Sequence, residues 1–232
     1  MVVRVIKDCL ARVAPFLCCF GIGLAVLSLS RLGLALWQAD AVNDADAWSR
    51  VLLQGIRVDI AALCMLLSIA TALYLLLPAR VAGHALVRTV MAAWLALSLT
   101  VLVVLELATP TFMQEYGLRP NRLFLEYLIY PREVVSTLAK GHLVSAALAL
   151  VLSAIAGWLA WRFANRMLRA SAQASPHWSA RLPFAALLIC LAALGIRSTL
   201  GHRPMNPAMM AFSSNATVNT LPLNSFYTLA YA

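Results

Sequence analysis

Five stretches of this chain are too long and too apolar to be the core elements of a small soluble domain. They run Val13–Leu36, Ile60–Ala79, Thr89–Leu107, Leu143–Trp161 and Leu182–Ile196. A helix needs about 20 apolar residues to cross a hydrocarbon layer about 30 Å thick. The first four meet that length. The fifth is short, and reaches it if Arg181 and Arg197 at its ends extend toward the two interfaces. Inside a bilayer the backbone must satisfy its own polar groups, so runs of this kind are read as helices. Composition agrees: 62% of the 232 residues are hydrophobic and 12% charged, against about 45–50% and about 25% in soluble domains. The expected fold is all-α: a polytopic membrane protein with five transmembrane helices and amphipathic helices at one interface.

The net charge of +9 does not make a nucleic-acid surface. The basic residues are spread between the apolar runs, as membrane topology distributes them, so no nucleic-acid partner is expected. On one side lie Arg4, Lys7, Arg12, Arg80, Arg88, Arg162, Arg166, Arg169 and Arg181, with only Asp8 among them. On the other, Arg50, Arg57, Arg119, Arg122, Arg132, Lys140, Arg197 and Arg203 share their loops with Asp40, Asp44, Asp46, Glu115, Glu126 and Glu133. That asymmetry is read as placing the N-terminus inside and, after five spans, the C-terminus on the exterior face. A signal peptide is the rival reading of the first run, because Ala39-Asp40-Ala41 follows a basic leader. The run exceeds the 7–15 residues of a signal core, so a retained anchor is preferred.

Cysteine and motif chemistry narrows the field. Cys18, Cys19, Cys64 and Cys190 lie in apolar runs and Cys9 in the leader, so they set no disulfide framework and no CxxC metal spacing. There is no phosphate-binding GxxxxGK[ST], no HExxH and no GxSxG, and His84, His142, His177 and His202 are dispersed. No constellation of nucleophile, base and electrophile can be assembled.

Charge at the membrane edge is more informative. Asp59 and Glu106 fall at or within spans, where an unpaired carboxylate is costly. By the topology above, Arg31, Arg57, Asp59, Glu106 and Arg197 share one depth near the exterior helix ends. Two readings stand: a paired polar vestibule that contacts a phospholipid headgroup, or five side chains that reach the interface separately. The loop after the third span places Leu123, Phe124, Tyr127, Leu128, Val134, Val135 and Leu138 at helical spacing, with Pro131 as a breaker. This predicts amphipathic helices over about 121–140. The last segment carries no charge from Asn206 to Ala232 and is rich in Asn, Ser, Thr and Pro. Such side chains satisfy backbone groups without charge, and a segment packed on the amphipathic helices with one side in water is expected. Asn215-Ala216-Thr217 also fits a glycosylation acceptor.

Three stretches together resemble a known family: GIRVDI (Gly55–Ile60), ELATPTFMQEYGLRPNRLFLEYLIYPREV (Glu106–Val134) and IRSTLGHRPMNPAMMAFSSNATVNTLPLNSFYTLAYA (Ile196–Ala232). They resemble the membrane part of the lipoteichoic acid synthase and phosphoglycerol transferase family. More narrowly, they resemble its Gram-negative branch, the sulfatase-like proteins of the alkaline phosphatase superfamily. The resemblance implies a five-helix domain, residues 1–196, and an exterior linker, 197–232, leading to a catalytic domain. In the family that domain carries a threonine nucleophile and a divalent metal, usually manganese, and transfers glycerol phosphate from phosphatidylglycerol. Neither nucleophile motif nor metal ligands occur here, so no catalytic residue, metal or cofactor is carried over. The chain is expected to be a truncated gene, a split reading frame or a fragment, inactive alone. Family-like positions are Arg57, Asp59, Glu106, Glu115, Arg119, Asn121, Glu126, Arg197, His202, Arg203 and Asn206, with headgroup contact or docking of a catalytic domain, in cis or in trans, as their implied roles. Two other readings are a stand-alone assembly protein for a separately encoded exterior enzyme, and a small transporter. Absent repeats, and charges that do not run through the membrane depth, make the transporter the poorer fit.

Overall fold

A computed structural model describes residues 2–130, 132, 136, 141, 143–199 and 201–232. Helices α1 (Val2–Trp37), α3 (Trp48–Leu76), α5 (Ala85–Tyr116), α7 (Leu143–Ser171) and α8 (Trp178–Arg197) are the five long enough and apolar enough to span a membrane. Short helices α2 (Ala39–Asp44), α4 (Ala79–Ala82) and α6 (Arg122–Leu128) lie in the connections. The tail forms a 3-10 turn (Pro207–Met210), α9 (Ala216–Thr220) and α10 (Ser225–Ala230). Among the described residues there is no strand. The chain is an all-α, multi-pass membrane protein.

Helix ends follow local chemistry. Leu77 is driven into the extended region (ψ 136) by Pro78, which stops α3. His84 and His177 each accept a backbone N–H two residues on and start α5 and α8. Two of the dispersed histidines are therefore helix caps. Gly117 (φ 68) closes α5 in the left-handed conformation, its N–H returning to Met113 O at 2.9 Å.

Helix α3 is the most enclosed span, with 61% of its most apolar window buried, against 6% for α8. The central core joins Phe16, Cys19 and Leu27 of α1, Leu63, Leu67 and Tyr74 of α3, Leu95, Leu99 and Leu102 of α5, and Ala160, Ala164 and Leu168 of α7. Small residues set two close approaches. A Cβ on Gly157 would meet Thr100 Oγ1 at 3.0 Å, and one on Gly195 would meet Cys64 Sγ at 2.7 Å. These seat α7 on α5 and α8 on α3, as small residues do between membrane helices.

The structure corrects three expectations. The second span begins at Trp48 rather than Ile60, so Arg57 and Asp59 stand well inside a helix. Helix α5 continues through Pro110 to Tyr116, beyond the Leu107 end of the third apolar run. Proline there removes the N–H that would bond to Glu106 O; one position earlier, Thr109 Oγ1 donates to Leu105 O at 2.7 Å. The amphipathic helix is found as α6, with Asn121 accepting from Leu123 N at 3.0 Å. Its continuation, with Glu133, Val134, Val135, Leu138 and Lys140, lies outside the described residues, as does His142.

The third correction concerns the tail. It keeps one side exposed, at Ala208, Met209, Ser214 and Asn215 among others, but its buried side packs into the end of the bundle rather than on α6 alone. Met205, Met210, Val218, Leu221, Leu223 and Tyr227 are buried among residues of α1, α3 and α5. Its asparagines explain how an uncharged segment does this. Asn206 Oδ1 accepts from Met209 N, Asn215 Oδ1 from Thr217 N and Val218 N, and Asn224 Oδ1 from Tyr227 N. Each begins one short helical turn. The glycosylation-like triplet is used here as a helix cap. Asn219 does a different job: it accepts from Phe212 N and Ser213 N and donates to Ser213 O.

Candidate functional site

The site is a buried polar network where the tail enters the bundle. Arg31 of α1 pairs with Asp59 of α3, with side-chain exposures of 1% and 0%. Arg119, from the turn after α5, donates to both oxygens of Glu106 at 3.1 and 3.0 Å. Asn224 and Ser225 join the two pairs. Asn224 Nδ2 donates to Asp59 Oδ1 at 3.0 Å, and Ser225 N to Glu106 Oε1 at 2.9 Å.

The rest of the shell comes from hydroxyls. Ser30 donates to Glu106 Oε2 at 2.5 Å, and Ser28 lies 3.5 Å from Asp59 Oδ2. Thr109 Oγ1 sits 2.6 Å from Ser225 Oγ, and Thr228 donates to Pro120 O at 2.6 Å. Gly55 is required beneath Arg31. A Cβ there would fall 2.0 Å from Arg31 Nε, so only glycine lets α3 approach α1 with a guanidinium between them.

Electrostatics make the arrangement coherent. Arg119 Nε and Nη2 donate to Thr220 O and Leu221 O at 3.1 and 3.4 Å, at the carbonyl end of α9. Glu106 accepts the first N–H of α10. Cation and anion thus lie against backbone groups of opposite partial charge. The two buried pairs sum to no net charge, and each carboxylate oxygen lies within hydrogen-bond distance of a donor. Removing one partner would strand a charge in a medium that cannot hydrate it. Chemically this is a lock between spans and tail, with its carboxylates engaged rather than free to take a proton from a substrate.

The sequence-predicted residues divide. Asp59, Glu106 and Arg119 meet in the lock, each of them buried. Arg57 donates instead to Ser198 O. Arg197, exposed at the end of α8, donates to the carbonyls of Thr199, Gly201 and His202. Of the five residues read at one depth, Arg31 and Asp59 pair with each other, and Glu106 pairs with a different arginine, Arg119. Asn121 and Asn206 are helix caps. Glu126 pairs with Arg122 at 2.9 Å on the exposed face of α6, while Glu115, His202 and Arg203 are exposed. Ser28, Ser30, Thr109, Asn224, Ser225 and Thr228 were not singled out. Ser28-Leu29-Ser30-Arg31 is the one hydroxyl-bearing, charged patch of the first run, and that is the signal that could have found two of them.

Two concavities border this lock. A groove of about 360 Å³ runs between α1 and α5, lined by Val26, Ser30, Gly33, Trp37, Val103 and Glu106 among others. A cleft of about 400 Å³ lies between the tail and α6, with Arg119, Asn121, Arg122, Thr228 and Tyr231 on its walls. Glu106 lines the first and Arg119 the second. Among the described residues no three His, Cys, Asp or Glu side chains group to hold a metal. No family model matches the chain, and no solved structure matches it.

Proposed function

We propose that this chain is the membrane module of a phosphoglycerol-transferase-type, sulfatase-like enzyme of a bacterial inner membrane. The N-terminus lies in the cytoplasm and the tail in the periplasm. In this reading the donor is phosphatidylglycerol, and transfer of its glycerol phosphate belongs to an exterior catalytic domain, supplied in cis or in trans, that binds the metal.

One observation carries the reading. The three stretches that resemble the family converge in space: Asp59 comes from the first, Glu106 and Arg119 from the second, and Asn224 and Ser225 from the third. Residues dispersed along the chain share one lock, which is the expectation for a unit that holds the base of an exterior domain at fixed height and orientation over the membrane.

The test is biochemical. Membranes from cells with and without the intact gene are given labelled phosphatidylglycerol and manganese, and diacylglycerol release is followed. An N-terminal tag at the chromosomal locus reports the size of the product. Release that disappears with the gene, from a product well above 25.1 kDa, supports the cis form. Loss of release with a product near that mass supports an enzyme acting in trans. Release unchanged by deletion overturns the proposal.

A further inference from the structure

The groove between α1 and α5 is left unexplained by the lock and by the proposed function. Its long wall comes from one face of α1, at Val26, Ser30, Gly33, Leu34 and Trp37, and the opposite wall from Val103, Glu106, Leu107 and Pro110 of α5. Both helices are membrane spans, and the surface beside the groove is apolar and open: Leu29 is 68% exposed, Leu36 59% and Val104 40%. Trp37, at the rim, stands where α1 ends, the level at which tryptophan favours the headgroup boundary.

Ser30 and Glu106 present little polarity to this space, because the hydroxyl is spent on the carboxylate and the carboxylate on Arg119 and Ser225. Water would find almost no partners there. A helix of a second copy, ~10–12 Å across with its side chains, does not fit within about 360 Å³. A single hydrocarbon chain does, and about 360 Å³ falls within the ~300–1,000 Å³ of ligand sites. The groove is open at Gly33, where a Cβ would meet nothing within 4 Å.

We infer that this groove holds one acyl chain of a glycerophospholipid from the leaflet at the tail end. The chain runs from Trp37 past Gly33 toward Val26 and seals the lipid-facing side of the Glu106 lock. The wall recognises hydrocarbon, so occupancy follows the chain and not the headgroup. The inference does not rest on the proposed transferase role, and its test reads no enzymatic activity.

The test uses the purified full chain in nanodiscs containing a phosphatidylcholine with a diazirine on one acyl chain, or the matching phosphatidylglycerol. After irradiation, labelled peptides are mapped by mass spectrometry. Peptides 26–37 and 103–110 are expected to carry at least tenfold more label than the lipid-exposed face of α8, equally with both headgroups. Gly33→Phe, which places a ring in the open slot, is expected to remove that excess while labelling of α7 and α8 stays unchanged. Leu107→Trp fills the slot from the other wall and is the second variant should Gly33→Phe not fold. Labelling spread evenly around the bundle, an excess that survives both variants, or an excess seen only with phosphatidylglycerol each overturns the inference.

Discussion

Arginine is buried at both ends of this bundle, and its partners differ. At the tail end Arg31 and Arg119 meet carboxylates, Asp59 and Glu106. At the other end Arg12, 1% exposed, donates to Leu77 O and Ala174 O at 3.0 and 3.1 Å, and its guanidinium stands 4.7 Å over the Tyr74 ring. Arg181 joins it on Leu77 O at 3.2 Å and also donates to Pro176 O. Leu77 caps the carboxyl end of α3, where cations are favoured by the helix dipole. One end ties spans to a returning tail through full charges; the other staples helix ends through backbone dipoles. The first is the more fragile, since loss of one member leaves an opposite charge buried, whereas loss of Arg12 leaves neutral carbonyls.

The largest expected effect follows from that difference. Glu106→Gln or Arg119→Met should destabilise the protein by about 3–5 kcal/mol and remove amide-exchange protection from 216–230. The double variant should recover much of the stability, because no charge is stranded. Double variants no more stable than the singles would show that the pair is not the lock. Next comes Gly55→Ala, which collides with Arg31 and should cost about 1–3 kcal/mol as overpacking. Arg31→Lys in the same background should relieve it, read as a return of the thermal midpoint.

Arg12→Met tests the opposite end. Its expected cost is about 1–2 kcal/mol, within the range for dipole contacts and charged hydrogen bonds. The loss should leave tail protection unchanged, and a loss of tail protection would mean that the two ends are coupled. Smaller again is Asn215→Ala, about 1 kcal/mol for one helix cap, seen as faster exchange confined to α9.

The mildest lever is pH. Burial pushes the Tyr227 phenol up, and its O–H donates to Met205 O at 2.8 Å. The unfolded tail then ionises first, at about pH 10, while the folded tail still holds its proton. Stability from this group is whole below that pH and falls as pH rises through it. Tail protection should be flat from about pH 6 to 9 and decline above about pH 10.

How much of this was legible differs by level. The five spans were, since apolar length along the chain is a local property. Their ends were less so. Arg57 and Asp59 look like the border of a span, yet helix α3 passes through them because Asp59 finds Arg31 and Arg57 finds a carbonyl. Pro110 looks like a stop, yet α5 continues past it. The shared depth of Arg31 and Asp59 was readable, and the pair forms. Glu106 was placed in the same group, but its partner, Arg119, comes from a turn whose position depends on where α5 ends.

What the sequence by itself determined is the class of environment and the number of crossings, because hydration cost and helix length add up residue by residue along the chain. It also determined that the tail would cap itself, since asparagine acts on N–H groups two or three positions away. Only the tertiary structure decided where that tail goes. Asn224 reaches Asp59 across 165 positions and Ser225 reaches Glu106 across 119. Contacts of that span depend on how five helices pack, and no local pattern encodes which buried charge will face which returning segment.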